Sequence, residues 1–146
     1  MKILWLDDMR NPYQYLSSNK NTNTFIRNKS FYDNLMKSTD VDFVWVKNFD
    51  EFKNFIMSNG IPEFVSFDHD LGKGLPKGLD CAKWLVKYCE KNNINLPKFY
   101  VHSANPNGQR EINALLNGFS RKPIAIKESK LYEIIYEAVR IVLSTL

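Results

Sequence analysis

Cysteine is scarce in this chain of 146 residues: there are two, Cys81 and Cys89. They stand eight positions apart in a segment with helical patterning, which at ~1.5 Å per residue separates them by about 12 Å, beyond the reach of a disulfide. No Cys/His zinc spacing, no Gly-x-Ser-x-Gly nucleophile elbow and no phosphate loop ending in Gly-Lys-Ser/Thr occurs. Long hydrophobic runs are missing too. The longest, such as 43–46, are strand-sized, far short of the ~20 apolar residues that cross a bilayer. Asp7 and Asp8 interrupt the opening stretch MKILWLDDMR, where a secretion signal needs an unbroken apolar segment. The expectation is one domain over residues 1–146, with no membrane span, in a reducing cytoplasm.

What is present fits a packed soluble domain. Hydrophobic residues make up 44%, aromatics 14% and charged residues 25%, which excludes collagen-like, disordered and coiled-coil chains. Lys and Arg total 20 against 16 Asp and Glu, a formal charge of +4, and this favours an anionic partner without naming one.

Short apolar segments alternate with helical patterns. Lys2–Leu6 ends abruptly in Asp7-Asp8, with Pro12 as a turn signal. Asp42–Val46 leads into Asn48-x-x-Glu51, a helix start, with Phe49, Phe52, Phe55 and Ile56 on one face and Gly60 at the end. Glu63–Phe67 runs into Asp68-His69-Asp70, a glycine-bearing loop and a helix near Leu79–Lys91 with Ala82, Leu85, Val86 and Cys89 inward. Lys98–Val101 ends in His102-Ser103-Ala104-Asn105, and Pro106 suits the first turn of a helix capped by Asn105 and carrying Ile112, Leu115 and Leu116. Ile124–Ile126 precedes Lys127, and Ser129 is read as the cap of a last helix with Leu131, Ile134, Ile135, Ala138, Val139 and Val142 facing inward. This alternation predicts a doubly wound α/β domain with a five-stranded parallel sheet covered on both faces. Residues 13–40 break the pattern, because SSNKNTNTFIRNKS is too polar for a good amphipathic helix, and they are expected to form a polar surface insertion.

In such sheets ligands bind beyond the carboxyl ends of the strands. Asp7-Asp8, Asp68-His69-Asp70, His102-Ser103 and Lys127 all fall at strand ends, and both histidines of the chain are among them. Adjacent carboxylates repel unless a cation or base neutralises them, so Asp7 and Asp8 are candidate ligands for a divalent cation, with Asp68 and Asp70 as further candidates. If strands three and four are neighbours, at ~4.8 Å spacing, the two imidazoles could share one site. Lys73 and Lys77, on the loop from Gly72 to Gly78, are candidates to meet an anion, and Arg10, Arg110 and Lys127 to balance phosphate charge.

The acidic pair after strand one, the aspartate after strand three, Ser103-Ala104 after strand four and Lys127 resemble the receiver domain of two-component response regulators. The strings LWLDDMRNP, SFDHDLG with GLDCAKWL, and VHSANPNG are more specifically similar to the cyclic-phosphate processing receiver domain, a divergent branch with histidines beside the receiver carboxylates. The resemblance implies a receiver- or flavodoxin-like strand order of 2-1-3-4-5. It also implies Asp7 and Asp8 as Mg²⁺ ligands, Asp68 at the phosphoacceptor position, Ser103 at the switch hydroxyl and Lys127 as the lysine that contacts phosphate. Receivers follow that lysine with proline; here Glu128 follows Lys127, and the Lys122-Pro123 doublet precedes the strand instead.

The leading expectation is a phosphoesterase that opens a cyclic phosphate, whether at an RNA end, on a nucleotide or derived from ADP-ribose. His69 and His102 would form the general acid–base pair, since imidazole titrates near ~6.5. Asp68 would join them, Mg²⁺ would sit on the carboxylates, and Arg10, Ser103, Asn105 and Lys127 would hold the substrate. The alternative is a signalling receiver phosphorylated on Asp68 by a histidine kinase. A third reading is a non-catalytic module that grips nucleic acid or protein through the aromatic-bearing insertion around Phe25, Phe31 and Tyr32, with Lys20, Arg27, Lys29 and Lys37 beside them.

Overall fold

Leu6 of the first strand lies between Val46 on one side and Phe67 on the other, and this register organises the sheet. The computed structural model describes the backbone of residues 1–120 and 128–146 and the side chains outside 121–130. Its elements run β1 (Lys2–Leu6), α1 (Pro12–Leu16), α2 (Asn23–Ser38), β2 (Asp42–Val46), α3 (Phe49–Asn59), β3 (Phe64–Phe67), α4 (Gly78–Asn92), β4 (Lys98–Val101), α5 (Pro106–Ser120) and α6 (Glu128–Ser144). Among the described residues four parallel strands are ordered β2-β1-β3-β4.

The expected helix starts are made as the sequence implies. The Asn48 side chain accepts from the Glu51 amide at 2.9 Å, and α3 stops at Gly60, whose φ of +82° favours glycine. Asn105 accepts from the Gly108 amide at 3.1 Å at the head of α5.

Strand alternation sends successive residues to opposite faces and divides the core in two. Leu4, Leu6, Val65, Phe67 and Val101 meet Phe52 and Ile56 of α3, Cys81, Ala82, Leu85 and Cys89 of α4, and Ile112 and Leu116 of α5. On the other face Ile3, Trp5, Phe43 and Phe64 meet Tyr15 and Leu16 of α1 and Phe25 and Tyr32 of α2. Both cysteines are free and buried.

Three expectations need correction or fall outside the description. Among the described residues the sheet has four strands, and the expected fifth, Ile124–Ile126, lies outside them together with Lys127. Residues 13–40 carry two helices rather than an irregular insertion. α2 is polar overall, but Phe25, Asn28 and Tyr32 recur at helical spacing and are all buried, so three anchors suffice to dock it. The last helix begins at Glu128, ahead of the expected cap Ser129, and its apolar stripe does not face inward: Leu131, Ile134, Ile135, Val139 and Val142 are 44–59% exposed. Periodicity specifies that a helix has an apolar face but not which surface covers it.

Candidate functional site at the strand ends

The strand register continues one residue beyond the strands. Leu6, Phe67 and Val101 are aligned across β1, β3 and β4. The next residues, Asp7, Asp68 and His102, keep the ladder through amide bonds to Val46, Leu6 and Phe67 carbonyls at 3.0, 2.9 and 2.9 Å. They therefore share one level and one face. Their ligand-capable atoms all lie within 4.8 Å of one another.

Asp7 is fully buried. One carboxylate oxygen accepts the amides of Met9 at 3.0 Å and Arg10 at 2.8 Å; the other meets Arg10 Nε at 2.9 Å and His102 Nε2 at 3.0 Å. Burial works against its charge, but the His102 hydrogen bond, the Met9 amide and the Arg10 guanidinium outweigh it and hold Asp7 below the usual carboxylate range. Asp68 goes the other way. Burial and the Asp7 charge push it up, only partly offset by the neighbouring His102, by Arg10, whose Nη2 lies 3.4 Å from Asp68, and by the His69 amide at 2.8 Å. Two carboxylates in contact with one arginine are thus driven apart in acidity, an arrangement that favours separate chemical roles.

The two histidines do not meet. His102 belongs to the α2 face: its ring stacks on Trp5 with centroids 3.8 Å apart and planes at 6°, its Nδ1 lies 2.7 Å from Ser66 Oγ, and its carbonyl accepts from Asn28 at 2.8 Å. His69 belongs to the opposite face, its ring against Gly108 of α5, where an added Cβ would come within 2.3 Å. His69 Nδ1 lies 3.2 Å from Asp70 and 3.3 Å from Asn105. β3 and β4 are indeed neighbours, but parity separates the rings, since His69 lies two residues past Phe67 and His102 one past Val101.

Above this row opens a cleft of about 960 Å³. Asp7, Asp8, Asp68 and Asp70 line it together with Arg10, Lys20, Lys73, Lys77, Ser103 and Asn105, while neither imidazole is on its wall. The loop after β3 bends through Gly72 at φ +119° and Gly74 at φ +76°, and its Lys73 and Lys77 line the same cleft as the carboxylates. Arg110 lies outside the lining and contacts Asn107 instead. Trp5, Asn28 and Ser66 escape a sequence reading as site residues, and Tyr32, expected with Phe25 among the gripping aromatics of the insertion, is instead buried like Phe25. Lys20 is legible only as part of a positive segment.

Asp7 and Asp68, with Asp8 on the same cleft wall, offer oxygen donors of the kind Mg²⁺ takes, and Arg10 bridges Asp7 and Asp68.

A parallel sheet with helices on both faces and carboxylates clustered at its strand ends defines a receiver-like α/β domain. Within that class the chain belongs to the cyclic-phosphate processing receiver domain family, whose profile matches residues 2–118. No curated protein matches the sequence. A solved fusion bearing the yeast Spc42 trimeric coiled coil is 16% identical over 99% of this chain and 82% of that one, with a TM-score of 0.44, too distant to add to the fold.

Proposed function

We propose that the protein hydrolyses a cyclic phosphodiester in the cleft above Asp7 and Asp68. The observation that carries this reading is the convergence of four carboxylates with Arg10, Lys20, Lys73 and Lys77 on one cleft, which matches the needs of a phosphate and its neutralising cation. Asp7, Asp8 and Asp68 would hold Mg²⁺, with Asp70 beside them; when bound, the ion neutralises charge on the phosphoryl oxygens. The lysines and Arg10 bind the anion, and Ser103 and Asn105 orient it.

His69 is the acid–base candidate in this reading, because its Nδ1 lies 3.2 Å from Asp70 and 3.3 Å from Asn105, two groups on the cleft wall. It lies one side chain back, so reaching the substrate requires Asp70, which is two-thirds exposed, and Asn105 to yield. The water oxygen forms a bond to phosphorus as one ring P–O bond breaks; the water proton passes to His69 and then to the leaving alkoxide. His102, sealed beneath Asp7, acts on that carboxylate and not on substrate.

The test is a phosphorus NMR screen of cyclic phosphates with and without Mg²⁺, comparing the parent with His69→Gln. Turnover that falls about 10²–10⁴-fold in the variant is expected; a variant as active as the parent would remove His69 from the mechanism. Asp68 and Ser103 also line the same cleft, the observation that favours phosphoacceptor signalling as a second reading. Phosphate on Asp68 after treatment with a small phosphodonor and Mg²⁺, without turnover of any cyclic phosphate, would replace the hydrolytic reading with that one.

A further inference from the structure

The α2 face hides a chain of polar groups of which the cleft chemistry uses only the last, Asp7. Tyr32 on α2, Ser66 on β3, His102 after β4 and Asp7 after β1 are joined end to end: the Tyr32 hydroxyl contacts Ser66 Oγ, Ser66 Oγ lies 2.7 Å from His102 Nδ1, and His102 Nε2 lies 3.0 Å from Asp7. Tyr32, Ser66, His102 and Asp7 are all at most 1% exposed.

The direction of every bond in this chain follows from its closed end. Among the described residues, the Tyr32 hydroxyl has no hydrogen-bond partner except Ser66. Burial holds the phenol above its usual value, so it keeps its proton, and that proton has only one acceptor. Were Ser66 to donate toward Tyr32, the Tyr32 O–H would be buried without an acceptor, an arrangement that folded proteins avoid. Tyr32 therefore donates to Ser66. The Ser66 proton is then free to go only to His102, which must offer the Nδ1 lone pair, and this leaves the His102 ring proton on Nε2, pointing at Asp7. The far end agrees, because the Asp7 oxygen that already accepts from Arg10 Nε at 2.9 Å faces Nε2 at 3.0 Å as an acceptor.

We infer that Tyr32 and Ser66 are positioning residues that fix His102 as a one-way Nε2–H donor to Asp7, so that α2 orients the carboxylate on the cleft floor. The Trp5 ring stacked on His102 and the Asn28 bond to its carbonyl hold the imidazole plane and backbone from two further sides. In such supporting shells the orienting partner of a ligating group controls how well that group holds a cation. The link to cation affinity rests on the proposed function above, whereas the direction of the hydrogen bonds does not.

The test uses full-length protein labelled with ¹⁵N in histidine, without added metal, and reads the ring nitrogens of His102 by long-range ¹H–¹⁵N correlation. The parent should show Nε2 protonated and Nδ1 as a hydrogen-bonded acceptor. Ser66→Ala should shift Nδ1 toward an acceptor that has lost its donor, and Tyr32→Phe should move it the same way by less, since it removes only the next bond in the chain. Backbone amide spectra report whether each variant is folded, and the milder Tyr32→Phe keeps the test open if Ser66→Ala is not. A parent proton on Nδ1, or Nδ1 signals unmoved in both folded variants, would overturn the inference. A calorimetric titration with Mg²⁺ forms the second arm: about tenfold weaker binding is expected for Ser66→Ala. Equal affinity in parent and folded variant would overturn the link to the cation, while the ring signals decide the bond direction without any turnover.

Discussion

The two faces of the sheet are built from different materials. The buried residues of the α3–α4–α5 face are mainly aliphatic, with Leu, Ile, Val, Ala and Cys closing around Phe52 and Phe67, and its buried polar side chains His69 and Ser103 stand beyond the strand ends. The α1–α2 face is aromatic and polar at once: Trp5, Tyr15, Phe25, Tyr32 and Phe43 enclose Asn28, Ser66 and His102. The difference teaches that stability and site support are divided between the faces. Apolar packing is non-directional and tolerates rearrangement, whereas a buried hydrogen-bonded chain fixes orientation and is costly when incomplete. The helix that looks least like a core helix in sequence is the one that holds the cleft carboxylate in place.

This division can be broken from either side. The largest stability loss is expected on the aliphatic face, where Phe52→Ala removes a fully buried ring and should cost about 3–5 kcal/mol in urea unfolding. Mg²⁺ binding by the protein that remains folded should change little. On the other face Asn28→Ala strips partners from the His102 carbonyl, Tyr15 and Tyr100, and should cost about 1–3 kcal/mol. That smaller loss should come with the larger fall in Mg²⁺ affinity. If calorimetry instead finds the Phe52 variant more impaired in binding, the faces are not divided in this way.

The smallest effect concerns the two thiols of the aliphatic side. Burial, joined at Cys81 by the Asp80 charge, pushes Cys81 up to about 12, and burial alone pushes Cys89 up to about 11. Both exceed the ordinary thiol value near ~8.5, so the folded state binds these protons more tightly than the unfolded one. Their contribution to stability is complete below about 8.5 and is lost as pH rises through 11–12. Native protein at pH 8 should therefore react with a thiol reagent only at the rate at which it opens, and addition of denaturant should release two reactive thiols. Rapid labelling of either cysteine under native conditions would show that this side opens far more readily than the full burial of both thiols implies.

Local pattern made much of the architecture legible. Asp42–Val46 and Lys98–Val101 are strands with the expected bounds, because each is an apolar run flanked by polar or turn-forming residues. The carboxylates and Ser103 could be placed at strand ends for the same reason. Even the separation of the histidines was within reach, since His69 and His102 differ in parity relative to Phe67 and Val101; using it required the register between β3 and β4, which no local pattern contains. α2 was missed because its mean polarity hides Phe25, Asn28 and Tyr32, and a buried asparagine is identifiable only by the partners that satisfy it.

The sequence by itself determined the alternation of strands and helices, the acidic strand ends and the membership that residues 2–118 carry. These depend on side-chain type and spacing along the chain. Tertiary structure alone decided that Asp7, Asp68 and His102 form one row, that Arg10 spans two carboxylates of opposed acidity, and that His102 faces Asp7 and not the cleft. Arg10 and Asp68 stand 58 positions apart in the chain, and Asp7 and His102 stand 95 apart. Hydrogen bonds and charge interactions depend on distance and direction in space, and only the paired register of the strands supplies either.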